Sequence, residues 1–166
     1  MDSVRLEEGK MATVNLKKIL VPQDFSEYSI HALKYAVTFA GLFNSELVVL
    51  HIVEPIVYPA DFSFGQVSIP AMEEEIRKHS EEQLNDLVAK EIPANIKATS
   101  IIRIGKPFSE IIEVAKSENV DLIVISSHGR TGMDHVLFGS TADKVVRKAP
   151  CPVLTIRPHE HEFVVP

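Results

Sequence analysis

Five short runs rich in aliphatic residues are spaced along the chain. A continuous apolar run of this length is typical of a strand that is buried on both faces of a parallel sheet. The third run mixes polar with apolar residues, so we place it at an edge of the sheet. The predicted strands are Ile19 to Val21, Leu47 to Val53, Lys97 to Ile104, Leu122 to Ile125 and Val153 to Ile156.

The segments between these runs show the apolar spacing of helices. In the first segment Ile30, Leu33, Val37 and Ala40 recur every three or four positions, and Ser26 stands where it can cap the helix. Three more helices are predicted at Pro70 to Lys90, from Pro107 onwards, and at Gly139 to Lys148. This alternation predicts a single-domain α/β fold, an open five-stranded parallel sheet that is doubly wound with helices on both faces.

Length and composition are consistent with one soluble domain in a reducing compartment. The chain has 166 residues, a formal net charge of −6 and one cysteine, Cys151. No apolar run reaches the roughly 20 residues of a membrane helix, and the acidic charge does not favour nucleic acid. We expect a cytoplasmic protein with a flexible N-terminal tail (1–15), one domain (16–158) and a C-terminal tail (159–166).

Two loops of the predicted fold stand where ligands bind. Open parallel sheets bind ligands beyond the carboxyl ends of their strands, where the strand order switches. One loop follows the first strand and runs from Pro22 to Ser26. The other follows the fourth strand and runs from Ser126 through Gly132 to Gly139.

The second loop has the chemistry of a phosphate site. Gly129 permits close backbone approach, and Arg130 carries a guanidinium that suits phosphate oxygens. Gly139, Ser140 and Thr141 stand at the predicted start of a helix, where the first N–H groups have no internal partner. The loop is not a Walker A sequence, because no Gly-Lys-Ser/Thr ending is present. A glycine-rich turn before an ordinary capped helix is the alternative interpretation.

These motifs resemble the universal stress protein family. Nucleotide-binding members carry G-x2-G-x9-G-[S/T] after the fourth strand, and Gly129, nine intervening residues and Gly139-Ser140 match its second half. The flanking Ser127-His128-Gly129-Arg130-Thr131-Gly132 and Ala149-Pro150-Cys151-Pro152 also match, as does Ile19-Leu20-Val21-Pro22-Gln23-Asp24-Phe25-Ser26. One departure is Ser126, which stands where the family has its first glycine.

The resemblance implies a Rossmann-like fold of the adenine nucleotide alpha hydrolase type, with strand order 3-2-1-4-5. It implies a stress-response regulatory protein that binds ATP with Mg²⁺ or Mn²⁺ and hydrolyses it slowly at most. It also implies a homodimer through the fifth strand, formed by Val153, Leu154, Thr155 and Ile156. The nucleotide-binding residues would be Pro22, Gln23, Asp24, Ile52, Ser126, His128, Gly129, Arg130, Gly139, Ser140 and Thr141.

Other interpretations remain open at this stage. Asp24 could be only a helix N-terminal acid or a turn former, His128 a capping or packing histidine, and His51 a satisfied core or rim histidine. No nucleophile motif predicts a catalytic site, so an efficient enzyme is a minor alternative. A dimeric interaction protein of the same fold that binds no nucleotide is the other alternative, and Ser126 is the feature that favours it.

Overall fold

The fold is an alternation of strands and helices from β1 to β5. The computed structural model describes residues 14–55, 69–128 and 139–157, with the side chains of 69–71 not described. The strands are β1 (Lys18–Gln23), β2 (Glu46–Val53), β3 (Ala98–Ile104), β4 (Leu122–Ser126) and β5 (Val153–Ile156). The helices are α1 (Glu27–Phe43), α2 (Ile69–Glu91), α3 (Pro107–Ser117) and α4 (Ser140–Lys148). The predicted tails lie almost wholly outside the described residues, as do Gly129 and Arg130.

The five strands form one parallel sheet in the order β3-β2-β1-β4-β5. The predicted strand order is therefore confirmed, and β3 lies at an edge as expected. The order reverses between β1 and β4, since the chain passes from β1 outward to β3 and then returns to the other side of β1. This reversal is the point at which doubly wound sheets open a crevice.

Side-chain alternation along the strands builds two cores. On β1, Ile19 and Val21 face one core, which also holds Leu33 of α1 and Leu84 of α2. Leu20 faces the other core, which α3 and α4 cover with residues that include Ile111 and Val145. Because successive side chains point to opposite faces, the apolar runs bury both faces of the sheet. No helix within the described ranges is long and apolar enough to span a membrane.

The element boundaries differ from the predicted ones at three places near the crevice. β1 continues through Pro22 to Gln23, β4 includes Ser126, and α4 begins at Ser140, with Gly139 as its N-cap. Pro22 was expected to stop the strand. Pro22 is tolerated because its nitrogen, which carries no hydrogen, faces β4. The pairing between β1 and β4 has already ended before this residue.

Cys151 packs against the core under α3 and α4. Burial raises the pKa of its thiol, and the negative charge of Asp121 acts in the same direction. The thiol therefore stays protonated at neutral pH and acts as a small apolar group.

Candidate functional site

A cavity of about 540 Å³ lies at the carboxyl ends of the strands. This volume is in the range of small-ligand sites. Its wall is made by the ends of β1, β2 and β4, by the start of α4 and by one face of α2. The predicted site residues that the structure describes all line it: Pro22, Gln23, Asp24, Ile52, Ser126, His128, Gly139, Ser140 and Thr141.

Pro22 lies where β1 and β4 part at the crevice. The carbonyl oxygen of Lys18 accepts from the N–H of Asp121, so the backbone of Lys18, and of residues 20 and 22 by alternation, faces β4. Register pairs with β4 are formed only at Ile19 and Leu20. Pro22 has no N–H with which to extend this ladder, so the two strands part at their carboxyl ends.

The turn after β1 is organised by Asp24. Its Oδ1 accepts from the backbone N–H of Ser26 at 3.0 Å and from the hydroxyl of Ser26 at 2.6 Å. Ser26 Oγ in turn accepts from the N–H of Ser29 at 3.2 Å and caps α1. Asp24 is thus a turn former, as the alternative interpretation had it, and it also lies on the cavity wall.

Phe25 holds an unusual backbone conformation within this turn. Its φ is 63°, in the left-handed region that bulky residues rarely adopt. The Phe25 ring lies against the imidazole of His51, with 4.4 Å between the ring centroids. The turn therefore places an aromatic ring in the cavity wall.

A backbone hydrogen bond joins the end of β4 to the start of α4. The N–H of Gly139 donates to the carbonyl oxygen of Ser127 at 2.7 Å. A Cβ at position 139 would lie only 3.3 Å from that oxygen, so the contact needs a glycine or a shift of the backbone. The hydroxyl of Ser126 donates to the carbonyl oxygen of His128 at 2.6 Å. The serine at the family's glycine position thus bonds within its own loop.

The N-terminus of α4 lines the cavity, and among the described residues no side chain caps it. Its N-cap, Gly139, is extended and offers no side-chain hydrogen bond, whereas α1 is capped by Ser26. The residues whose N–H groups lack an intrahelical partner there are Ser140, Thr141 and Ala142, and all three line the cavity. The helix dipole adds partial positive charge at this end. The arrangement is suited to an anion such as phosphate.

The two histidines of the cavity are both engaged in hydrogen bonds. His51 is buried, and its Nδ1 lies 2.8 Å from the carbonyl oxygen of Gln23. His128 Nδ1 lies 2.9 Å from Ser127 Oγ, and its ring centroid is 6.2 Å from that of Tyr28. His51 is therefore a satisfied rim histidine, as the sequence indicated.

Sequence reasoning missed the part of the wall that α2 provides. Ile76, Ser80 and Gln83 lie on one face of α2 and line the cavity, as does Phe25. Ser80 is buried although it is polar. Nothing in the helical spacing of α2 distinguishes the face that covers the sheet from the face that meets a ligand.

The fit of a divalent cation depends on the carboxylates at the cavity. Among the described residues no group of three or more histidine, cysteine, aspartate or glutamate side chains could hold a metal ion alone. Within the described part of the wall, the carboxylates are those of Asp24 and Glu54. One or two carboxylates together with ligand phosphates are a usual arrangement for Mg²⁺, so these residues fit a cation that is bound with a nucleotide.

Comparison with known proteins gives the same family in sequence and in structure. The profile of the universal stress protein family matches residues 15–157. Universal stress protein MJ0577 of Methanocaldococcus jannaschii is 33% identical over 157 residues, which cover 87% of this chain and 97% of the relative. Universal stress protein MJ0531 of the same organism is 32% identical over 149 residues, with 88% and 85% covered.

Solved structures show the same architecture. The structure of MJ0577 superposes with a TM-score of 0.76 at 28% identity and covers 89% of this chain and 100% of its own. Two more distant structures show the fold alone. One is a universal stress protein of Archaeoglobus fulgidus in complex with dAMP (TM-score 0.58, 21% identity, 86% and 98% covered). The other is a universal stress protein in complex with cAMP (0.58, 20%, 86% and 98%). The chain belongs to the universal stress protein family.

Proposed function

We propose that this protein is a regulatory module of the stress response that binds an adenine nucleotide, namely ATP accompanied by Mg²⁺ or Mn²⁺. The observation that carries the proposal is the open N-terminus of α4, which faces a cavity at the reversal of strand order. Anions bind at such helix termini and nucleotides at such crevices. The dAMP and cAMP complexes of more distant proteins with this fold support it by analogy.

The two ends of the cavity suit the two ends of a nucleotide. Gly139, Ser140 and Thr141 would hold the phosphates through backbone N–H groups and hydroxyls. Ser126 and His128 would lie beside the ribose and phosphates, together with Gly129 and Arg130, which are outside the described residues. Pro22, Gln23, Asp24 and Ile52 would border the ribose and base.

We expect hydrolysis to be slow at most. A hydrolase needs a base that is placed to take a proton from the attacking water. In the described part of the cavity, the side chains of Asp24, His51 and His128 already form hydrogen bonds within the protein. ATP occupancy would therefore act as a signal rather than as a step of rapid turnover.

Calorimetric titration of the purified protein with ATP and Mg²⁺ tests this proposal. Gly139→Gln is expected to weaken ATP binding, because its Cβ would lie 3.3 Å from the Ser127 carbonyl oxygen and the rest of the side chain would stand at the start of α4. Gly41→Gln is the matched control. No heavy atom lies within 4 Å of a Cβ at Gly41, so that variant should bind ATP as the wild type does.

Either of two results would contradict the proposal. One is the absence of ATP binding by the wild type up to millimolar concentrations. The other is equal affinity of the Gly139→Gln and Gly41→Gln variants, which would place the ligand elsewhere. Mass spectrometry of the purified protein would identify any adenine nucleotide that is retained from the cell.

A dimeric interaction protein that binds no nucleotide is the second candidate. The observation that favours it is Ser126, whose side chain stands where the family's first glycine leaves space. Ser126→Gly separates the two functions. Binding of ATP only by the Ser126→Gly variant would show that the serine has closed the pocket of this chain.

A further inference from the structure

Gln23 stands at the carboxyl end of β1, where its side chain is held in one orientation. The residue lines the cavity and is 3% exposed. Its amide nitrogen Nε2 donates to the carbonyl oxygen of Ser29 at 2.9 Å. Because a carbonyl oxygen can only accept, the nitrogen must be the amide atom that faces Ser29. This contact fixes the position of the other amide atom, Oε1.

The Oε1 atom of Gln23 is buried and accepts no hydrogen bond from the residues that the structure describes. Buried polar atoms without a partner are rare in folded proteins, and leaving one unpaired loses the hydration of a carbonyl group. The acceptor therefore calls for a donor that the described chain does not supply.

The surroundings of Gln23 indicate what kind of group could supply it. Its register partner on β2 is His51, whose Nδ1 contacts the backbone carbonyl oxygen of Gln23 rather than its side chain. Phe25 lies against the His51 ring, so flat ring faces border this end of the cavity. The open N-terminus of α4 forms another part of the same wall. A ligand whose phosphates bind at the start of α4 and whose planar base lies beside Phe25 and His51 would present its base or sugar to Gln23.

We propose that Gln23 is a specificity-determining residue, whose Oε1 accepts a hydrogen bond from an N–H or O–H group of the bound nucleotide. The donor is either the exocyclic amine of the base or a ribose hydroxyl, and both supply the same chemistry. This inference rests on the proposed nucleotide function. A site built to receive a donor rejects an analogue that lacks it, because the buried acceptor is then left unpaired.

The test compares ligands that differ by one donor. ATP, inosine triphosphate (amine replaced by carbonyl), 2′-deoxy-ATP and 3′-deoxy-ATP are titrated into the wild type and into Gln23→Met. Methionine has nearly the same length and shape but no acceptor of comparable strength. For the wild type, we expect one analogue to bind at least about 10-fold more weakly than ATP. That analogue identifies the donor, and Gln23→Met should remove the discrimination.

Two further measurements separate this role from a general effect on folding. Inorganic tripolyphosphate, which has neither base nor sugar, should bind equally to the wild type and to Gln23→Met. Ser45→Ala serves as a control because Ser45 is a buried polar residue just before β2, at the end of the sheet opposite the cavity. It should leave the ratio between ATP and its analogues unchanged even if it lowers stability.

The outcomes distinguish this inference from the proposed function. If the wild type binds neither ATP nor tripolyphosphate, the nucleotide function itself fails. If it binds ATP but none of the analogues is discriminated against, or if Gln23→Met weakens every ligand by the same factor, the role of Gln23 is overturned while the nucleotide site stands. A buried water as the partner of Oε1 would give that second result.

Discussion

Glu46 begins β2, at the amino-terminal ends of the strands and therefore at the opposite end of the sheet from the cavity. Its carboxylate accepts from Lys97 Nζ at 2.9 Å and from Thr99 Oγ1 at 3.0 Å. The hydrogen bond from Lys97, followed by that from Thr99, holds the pKa of Glu46 below its ordinary value near 4.5. The contact joins the first residue of β2 to the start of β3, and none of the three residues lines the cavity.

The lowered pKa of Glu46 predicts a pH-dependent contribution to stability. Because the folded state favours the carboxylate, the stabilisation is complete above the unfolded pKa and is lost as the pH falls through the folded pKa. Glu46→Gln should therefore lower the free energy of unfolding by about 0.5 kcal/mol at pH 7, as a partly exposed ion pair does. The difference from the wild type should shrink below about pH 4.5 in urea titrations.

Glu113→Gln is the control for this prediction. Glu113 is 68% exposed and contacts Lys116 on the same helix at 3.3 Å. We expect its replacement to change the free energy of unfolding by less than about 0.5 kcal/mol. A difference between Glu46→Gln and the wild type that grows with acidification would contradict the assigned direction of the pKa shift.

At the level of elements, the start of α1 links folding to the candidate site. Ser26 caps the helix, and its hydroxyl and N–H are bonded to Asp24 on the cavity wall. α4 begins without such a cap, on a glycine. Among the described residues, one helix start is thus capped by a side chain and the other begins on a glycine without such a cap.

Ser26→Ala should lower the free energy of unfolding by about 1 kcal/mol, the usual cost of losing an N-cap side chain. It should also free Asp24 Oδ1 from its hydroxyl donor and weaken ATP binding slightly. Thr38→Ala is the control, because Thr38 is within α1 and its hydroxyl contacts only the Lys34 carbonyl oxygen in an exposed position. Equal unfolding midpoints for the two variants in urea would show that the cap contributes nothing.

At the level of the whole molecule, β3 and β5 are the edge strands of the sheet, and no strand of the described residues pairs with their outer sides. The carbonyl oxygens of Pro152 and Ile156 accept from β4, so by alternation residues 153 and 155 direct their backbone groups outward. Likewise, the Lys97 carbonyl oxygen and the Gly105 N–H bond to β2, so residues 98, 100, 102 and 104 face outward from β3. Unpaired edges such as these can pair with a second chain.

We predict a homodimer that forms through β5, whose side chains are half-buried at Val153, Leu154 and Thr155. Thr155→Pro should give a monomer, because it removes an outward N–H and leaves the ladder to β4 intact. Ser100→Pro is the matched control, since it removes an outward N–H from β3 instead. Sedimentation should show a dimer for the Ser100→Pro control. A monomeric wild type would reject β5 as the interface. So would a dimer that persists in Thr155→Pro but is lost in Ser100→Pro.

Much of the fold was predictable because its causes are local in the chain. The aliphatic runs indicated all five strands, and the polar third run indicated the edge position of β3. Ser26 and Pro107 marked helix starts that the structure confirms. The small residues Gly139 and Ser140 indicated a helix start that suits an anion, since the backbone alone supplies its N–H groups.

What the tertiary structure decided depends on contacts between residues far apart in sequence. Pairing with β2 continues through Pro22, whereas pairing with β4 ends at Leu20, so Pro22 does not end β1. The packing of α2 brings Ser80 to a cavity that the sequence assigned to other loops. The orphan oxygen of Gln23 exists only because Ser29 holds the other amide atom. Local patterns in the chain thus predict the elements, their order along the chain and the chemistry at the start of α4, whereas the shape and hydrogen-bonding demands of the pocket arise only when the strand ends meet.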